Sequence, residues 1–93
     1  MSQLVDRHGQ PLELVLYKRD TCRYCVLVAD EMDRLGLTGT LRTRDTRFDP
    51  GALDELIRLG GMRQVPMLLV NGKPMYESGD IIAFLRDEVR GRS

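Results

Sequence analysis

Two cysteines separated by two residues, Cys22-Arg23-Tyr24-Cys25, are the side chains of this chain best placed for covalent chemistry. An apolar run precedes them and a helical pattern follows, so the pair stands where a strand turns into a helix. A CxxC there puts both sulfurs on the first helical turn, among unpaired backbone N–H groups and the positive end of the macrodipole. The first thiol then ionises more readily and becomes a nucleophile near neutral pH. The second can resolve the mixed disulfide that the first one forms. The predicted chemistry is dithiol–disulfide exchange, with Cys22 as nucleophile and Cys25 as resolving thiol. Lys18, Arg19 and Arg23 lie close in sequence, and their charges favour a Cys22 thiolate. The competing use of a CxxC, a closed zinc site, needs about four ligands. Two cysteines and the lone His8, expected in solvent, fall short of that, so no metal ligands are assigned.

The elements that must hold this pair can be read along the chain. Residues 12–17 are apolar and partly β-branched, as a buried central strand requires. From Arg23, Val26, Ala29, Met32 and Leu35 step along a helix that Gly36 stops. A second strand is expected near 40–44. Asp49-Pro50 reads as an N-cap with proline at the first position of a second helix, to which Leu53, Leu56 and Ile57 give one apolar face and which ends at Gly60-Gly61. Residues 65–70 make a third strand, Asn71-Gly72 a tight hairpin turn, and 74–76 the returning edge strand. Ser78 caps a last helix carrying Ile81, Ile82, Phe84, Leu85 and Val89.

The predicted order is β-α-β-α-β-β-α: an α/β fold with a mixed four-stranded sheet and three flanking helices. Residues 1–11 read as a short polar lead-in, and 12–93 as a single domain. A chain of 93 residues has room for one compact core and no second lobe.

Fourteen basic and fourteen acidic residues cancel, which argues against nucleic acid or an anionic membrane as partner. The longest aliphatic stretch, 65–70, contains a proline and is too short to span a bilayer. The N-terminus has no basic start followed by an apolar run, so no secretory signal is read there. With only two cysteines, a reducing cytoplasm is the expected location, where a CxxC is catalytic or metal-binding rather than structural. Arg42, Arg44 and Arg47 read as a solvated face that also has the charge to attract a carboxylate.

From about Leu12 to Leu85 the chain resembles the glutaredoxins of the thioredoxin superfamily. Three separated segments carry the likeness. Residues 19–25, Arg-Asp-Thr-Cys-Arg-Tyr-Cys, resemble the active-site loop Lys-x-x-Cys-Pro-Tyr-Cys. Gln64-Val65-Pro66 resembles the Thr-Val-Pro segment, whose proline is cis in that fold. Glu77-Ser78-Gly79-Asp80 takes the place of the Gly-Gly-x-x-Asp segment that holds the γ-glutamyl end of glutathione. Residues 65–85 are also similar to the N-terminal domain of glutathione transferases, in which a Glu-Ser pair grips the same group. This chain departs from the glutaredoxin pattern at Arg19, Arg23, Gln64 and Tyr76-Glu77.

The resemblance implies a glutathione-dependent thiol–disulfide oxidoreductase with glutathione as co-substrate. Its implied binding residues are Arg19, Tyr24, Val65, Pro66, Glu77, Ser78 and Asp80. The implied partners are glutathione and disulfide-containing or glutathionylated proteins, met by a monomer. A cis Val65–Pro66 bond would turn the backbone of Val65 outward to pair with an extended peptide. Other readings stay open. One is a protein disulfide reductase recharged by thioredoxin reductase, and another is a non-enzymatic binding module. A third is a [2Fe–2S] carrier or sensor, since members without the motif's proline resemble those that share a cluster between two protomers.

Overall fold

A computed structural model describes residues 4–91. In chain order its elements are β1 (Leu4–Val5), β2 (Pro11–Leu12), β3 (Leu14–Lys18), α1 (Arg23–Arg34) and β4 (Arg42–Asp45), followed by α2 (Ala52–Gly60), β5 (Met67–Val70), β6 (Lys73–Met75), α3 (Ser78–Glu88) and β7 (Arg90–Gly91). The main sheet has the order β4-β3-β5-β6. Its β3–β4 pair is parallel, and its β3–β5 and β5–β6 pairs are antiparallel. With three helices around a mixed four-stranded sheet, this is the expected thioredoxin-like architecture.

Strand alternation builds two cores on the two faces of that sheet. Leu14 and Leu16 of β3 and Leu68 of β5 face α1 and α3, meeting Val28, Met32, Ile81 and Leu85. Val15, Tyr17, Met67 and Leu69 point the other way, onto Leu53 and Leu56 of α2. The antiparallel register sets Leu16 opposite Leu68 and Tyr17 opposite Met67, so like faces coincide. Each fully buried Leu or Met contributes about 1.5–3 kcal/mol. Together they hold the end of β3, and the loop that follows it, as a rigid platform.

The structure differs from the sequence reading at six places. Ile57, expected on the apolar face of α2, is 42% exposed, one position past the buried Leu56. The described part of the 1–11 lead-in is a hairpin: Leu4 pairs with Leu12 and Gly91, and Val5 with Pro11 and Arg90. Leu4 is buried in the core, and Asp6 Oδ1 ties the turn by accepting from the N–H groups of His8 and Gln10. Two-residue strands carry too little alternation to be seen in a sequence. Residues 1–3 of that segment, and 92–93 at the other end of the domain, lie outside the described residues.

The run 12–17 is broken at Glu13, whose N–H donates to Asn71 Oδ1 and whose carbonyl accepts from the Asn71 N–H. In α1 the buried residues are Cys25, Val28 and Met32, while Val26 and Ala29 face out. A strict step of three drifts off a 3.6-residue period. Asp49 does not cap α2; its Oδ2 accepts from the Asp45 N–H, and Gly51, at φ 79°, occupies the cap position. Ser78 does not cap α3 either. It is the first helical residue, behind Glu77, which makes no side-chain capping bond.

Asn71 and Gly72 both have positive φ, as the hairpin turn between β5 and β6 demands. Among the described residues no helix is long and apolar enough to cross a membrane.

Candidate active site

β3 ends at Lys18, and a short loop delivers Cys22 to the position just before α1. There Cys22 is the N-cap residue itself, and its sulfur accepts from the Cys25 backbone N–H at 3.4 Å. A sulfur in a place usually held by a serine or aspartate oxygen receives the orphan donors of the first turn. On the other side, Cys22 Sγ lies 3.7 Å from the carbonyl oxygen of Val65, immediately before the cis Val65–Pro66 bond.

The two thiols meet different environments. Burial pushes the Cys22 thiol up, but hydrogen bonds from the Cys25 thiol and from the Cys25 and Tyr24 N–H groups outweigh it, and the Arg19 charge adds to them. The result lies below the ordinary value. Cys25 is pushed up to about 12, chiefly by burial and further by facing Cys22. Cys22 is half-buried, whereas Cys25 is buried, with its sulfur accepting from the Arg19 N–H at 3.5 Å. One sulfur is a ready nucleophile, and the other holds its proton close by.

Of the three cations expected to favour the Cys22 thiolate, Arg19 does so. Lys18 is held instead by Asp20 at 2.5 Å and Asp45 at 3.5 Å, and its charge falls on Cys25. Arg23 is exposed.

A groove of about 260 Å³ opens beside the cysteine loop, lined by Tyr24, Gln64, Val65, Pro66, Glu77 and Ser78. Five of the residues expected to bind glutathione therefore meet on one surface. Tyr24 is 55% exposed along it. Glu77 has φ 47°, a left-handed conformation that side chains rarely adopt, at the lip where α3 begins. Asp80 stands exposed on the first turn of α3 and does not line this groove.

Arg19 lies on a second groove, of about 230 Å³, formed with Thr46, Arg47, Leu53, Leu56, Arg63 and Val65. Val65 borders both. Gln64 and Arg63 were missed as site residues, although their place directly before Val65-Pro66 was signal enough. The arginine run is not one solvated face. Arg44 is engaged by Glu55 at 2.6 Å and donates to the Pro50 carbonyl, whereas Arg42 and Arg47 are exposed.

Among the described residues, no group of three or more His, Cys, Asp or Glu side chains is placed to hold a metal ion. An iron–sulfur cluster, which takes four ligating sulfurs, meets one accessible cysteine thiol among the described residues. The donors do not fit a cluster held by the chain alone.

The glutaredoxin family model matches residues 14–75. No curated protein sequence matches the chain. Several solved structures share the fold. Buckwheat glutaredoxin in complex with glutathione superposes with a TM-score of 0.61 at 23% identity, covering 81% of this chain and 69% of that one. Oxidised glutaredoxin 2 from Chlamydomonas reinhardtii gives 0.58 at 26% identity, covering 81% and 72%. Wheat glutaredoxin gives 0.60 at 23% identity, covering 80% and 71%.

Proposed function

The chain belongs to the glutaredoxin family of thiol–disulfide oxidoreductases, and we propose that it reduces glutathione mixed disulfides and protein disulfides at the expense of glutathione. The observation that carries this is the asymmetry of the thiols: Cys22 lowered and accessible, Cys25 buried and near 12. Exchange needs a thiolate to attack and a second thiol that does not compete for the substrate.

In this reading the cysteinyl part of glutathione lies along Val65, Pro66 and Tyr24, with its sulfur at Cys22. Its γ-glutamyl carboxylate meets the free N–H groups at the start of α3, beside Ser78, while Glu77 and Asp80 accept from its amino group. Its glycyl carboxylate lies toward Arg19. Buckwheat glutaredoxin, of the same fold, has been solved with glutathione bound.

With a glutathionylated protein, the Cys22 thiolate attacks the glutathionyl sulfur, and the S–S bond of the substrate breaks. The protein leaves as a thiolate that takes up a proton. A second glutathione thiolate attacks the sulfur now on Cys22, yielding glutathione disulfide and free Cys22. With a protein disulfide, Cys22 forms the mixed disulfide. Cys25 then gives up its proton and attacks Cys22 Sγ, releasing the reduced product, and two glutathione molecules return the Cys22–Cys25 disulfide to the dithiol. We place this activity in a cytoplasmic monomer.

The test is glutathione-coupled reduction of a glutathionylated peptide by the wild type, Cys22→Ser and Cys25→Ser. Activity lost with Cys22→Ser and kept with Cys25→Ser is the expected result. An inactive wild type overturns the glutathione reading. Activity indifferent to Ser78→Ala and Asp80→Asn would move the reading to a reductase recharged by thioredoxin reductase.

A further inference from the structure

The two grooves beside Cys22 differ in charge. Arg19, Arg47 and Arg63 converge on one of them, and none of the three is ion-paired with a carboxylate among the described residues. The other carries Glu77, with Asp80 exposed close by on the first turn of α3, and neither of these is ion-paired among the described residues. The glycyl end of glutathione supplies one carboxylate, and three guanidiniums sharing one groove still repel one another once a single charge is met. The site has room for more anionic charge than glutathione brings. Next to the arginines, Phe48 is 67% exposed beneath Arg47, whose guanidinium lies 5.3 Å from the ring centroid. An uncovered aromatic at the rim is the kind of anchor a protein partner buries.

Chain direction gives this charge a polarity. From Arg63 to Pro66 the backbone runs from the arginine groove to the Glu77 groove, and Val65 borders both. The Val65 N–H has no backbone hydrogen-bond partner among the described residues. An extended peptide that pairs antiparallel with Val65 runs the opposite way. Residues before its cysteine then lie over Glu77 and Asp80, and residues after it lie over Arg19, Arg47 and Arg63.

We propose that the protein disulfides this chain prefers are those whose reacting cysteine is preceded by basic residues and followed by acidic ones. This rests on the oxidoreductase reading above and names its protein substrates. In the selective step the Cys22 thiolate attacks the peptide sulfur and the Cys22–peptide disulfide forms. The peptide's original S–S bond breaks, and its other sulfur leaves as a thiolate. Exposed ion pairs are individually weak. Two or three acting together give a preference of about tenfold at low ionic strength. It falls toward unity in 1 M salt, where the screening length is only about 3 Å.

The test uses two peptides of one composition and one net charge. The first has two lysines before a central cysteine and two glutamates after it, and the second has the reverse order. Each is supplied as a mixed disulfide with thionitrobenzoate, so that attack on the peptide sulfur releases the coloured anion in a single turnover without glutathione. The wild type is expected to react about tenfold faster with the first. An Arg47→Gln/Arg63→Gln double variant is expected to bring the ratio near one, with Cys22 alkylation reporting that it is folded. Equal rates, a reversed preference, or a ratio unchanged in the double variant overturns the proposal while leaving the oxidoreductase reading in place. No release from either peptide overturns both.

Discussion

Alkylation of the reduced protein tests the thiol asymmetry directly. Cys22 lies below the ordinary 9.0 and Cys25 is pushed up to about 12. At neutral pH the thiolate fraction at Cys22 therefore exceeds that at Cys25 by on the order of a thousandfold, at tenfold per unit. Burial adds a steric barrier, since Cys25 is 3% exposed. Iodoacetamide at neutral pH is expected to modify Cys22 first and essentially alone, as peptide mass mapping over time would show. The rate should follow a single titration with its midpoint below 9.0, the direction of the Cys22 shift. In Cys22→Ser the Cys25 thiol loses the raising contribution of Cys22 but stays buried, so it should still react far more slowly than Cys22 does in the wild type. Comparable rates at the two cysteines, or a Cys22 midpoint at or above 9.0, would refute the reasoning. Either would mean that the N–H donors at the start of α1 do not stabilise charge on this sulfur.

Two further perturbations probe the frame around the site. A Cβ on Gly60 would collide with Tyr76 Oη and lie 3.3 Å from Met67 Cε. Gly60→Ala should therefore destabilise by about 1–3 kcal/mol through overpacking, read as a lower urea midpoint. Glu55→Ala removes the acceptor of the buried Tyr17 hydroxyl, 2.9 Å away, and should cost about 1–3 kcal/mol in urea unfolding at pH 7. The Arg44 and Tyr17 hydrogen bonds hold the Glu55 carboxyl below its ordinary 4.5. Its stabilisation is thus complete above that value and lost as pH falls through the lower folded one. The wild type should lose stability over that acid range, and Glu55→Ala should lose less.

Much of the fold was legible because its signals are local. An apolar β-branched run, a CxxC at a strand–helix junction, glycines at helix ends and an Asn-Gly turn each act on their neighbours. They determine the order of the central elements and place the two cysteines at the start of a helix. Ser78 and Asp49 misled because a capping residue type does not say which of the nearby N–H groups its oxygen meets. Asp49 was claimed by the N–H of Asp45, a local competitor four residues back. The N-terminal hairpin escaped for a different reason, since its partner strand, Arg90–Gly91, lies at the far end of the chain.

What the sequence by itself determined is the set of groups on offer: two thiols two residues apart, and a Val-Pro and Glu-Ser some forty and fifty-five residues downstream. Only the tertiary structure decided how these meet. Packing on the two faces of the sheet brings the Val65 carbonyl to the Cys22 sulfur and seals Cys25 away from solvent. It also neutralises Lys18 with Asp20 and Asp45, while gathering Arg47 and Arg63 beside Arg19. Burial and charge proximity are properties of distances between remote residues. Those distances exist only once strand register has fixed which side chains share a face.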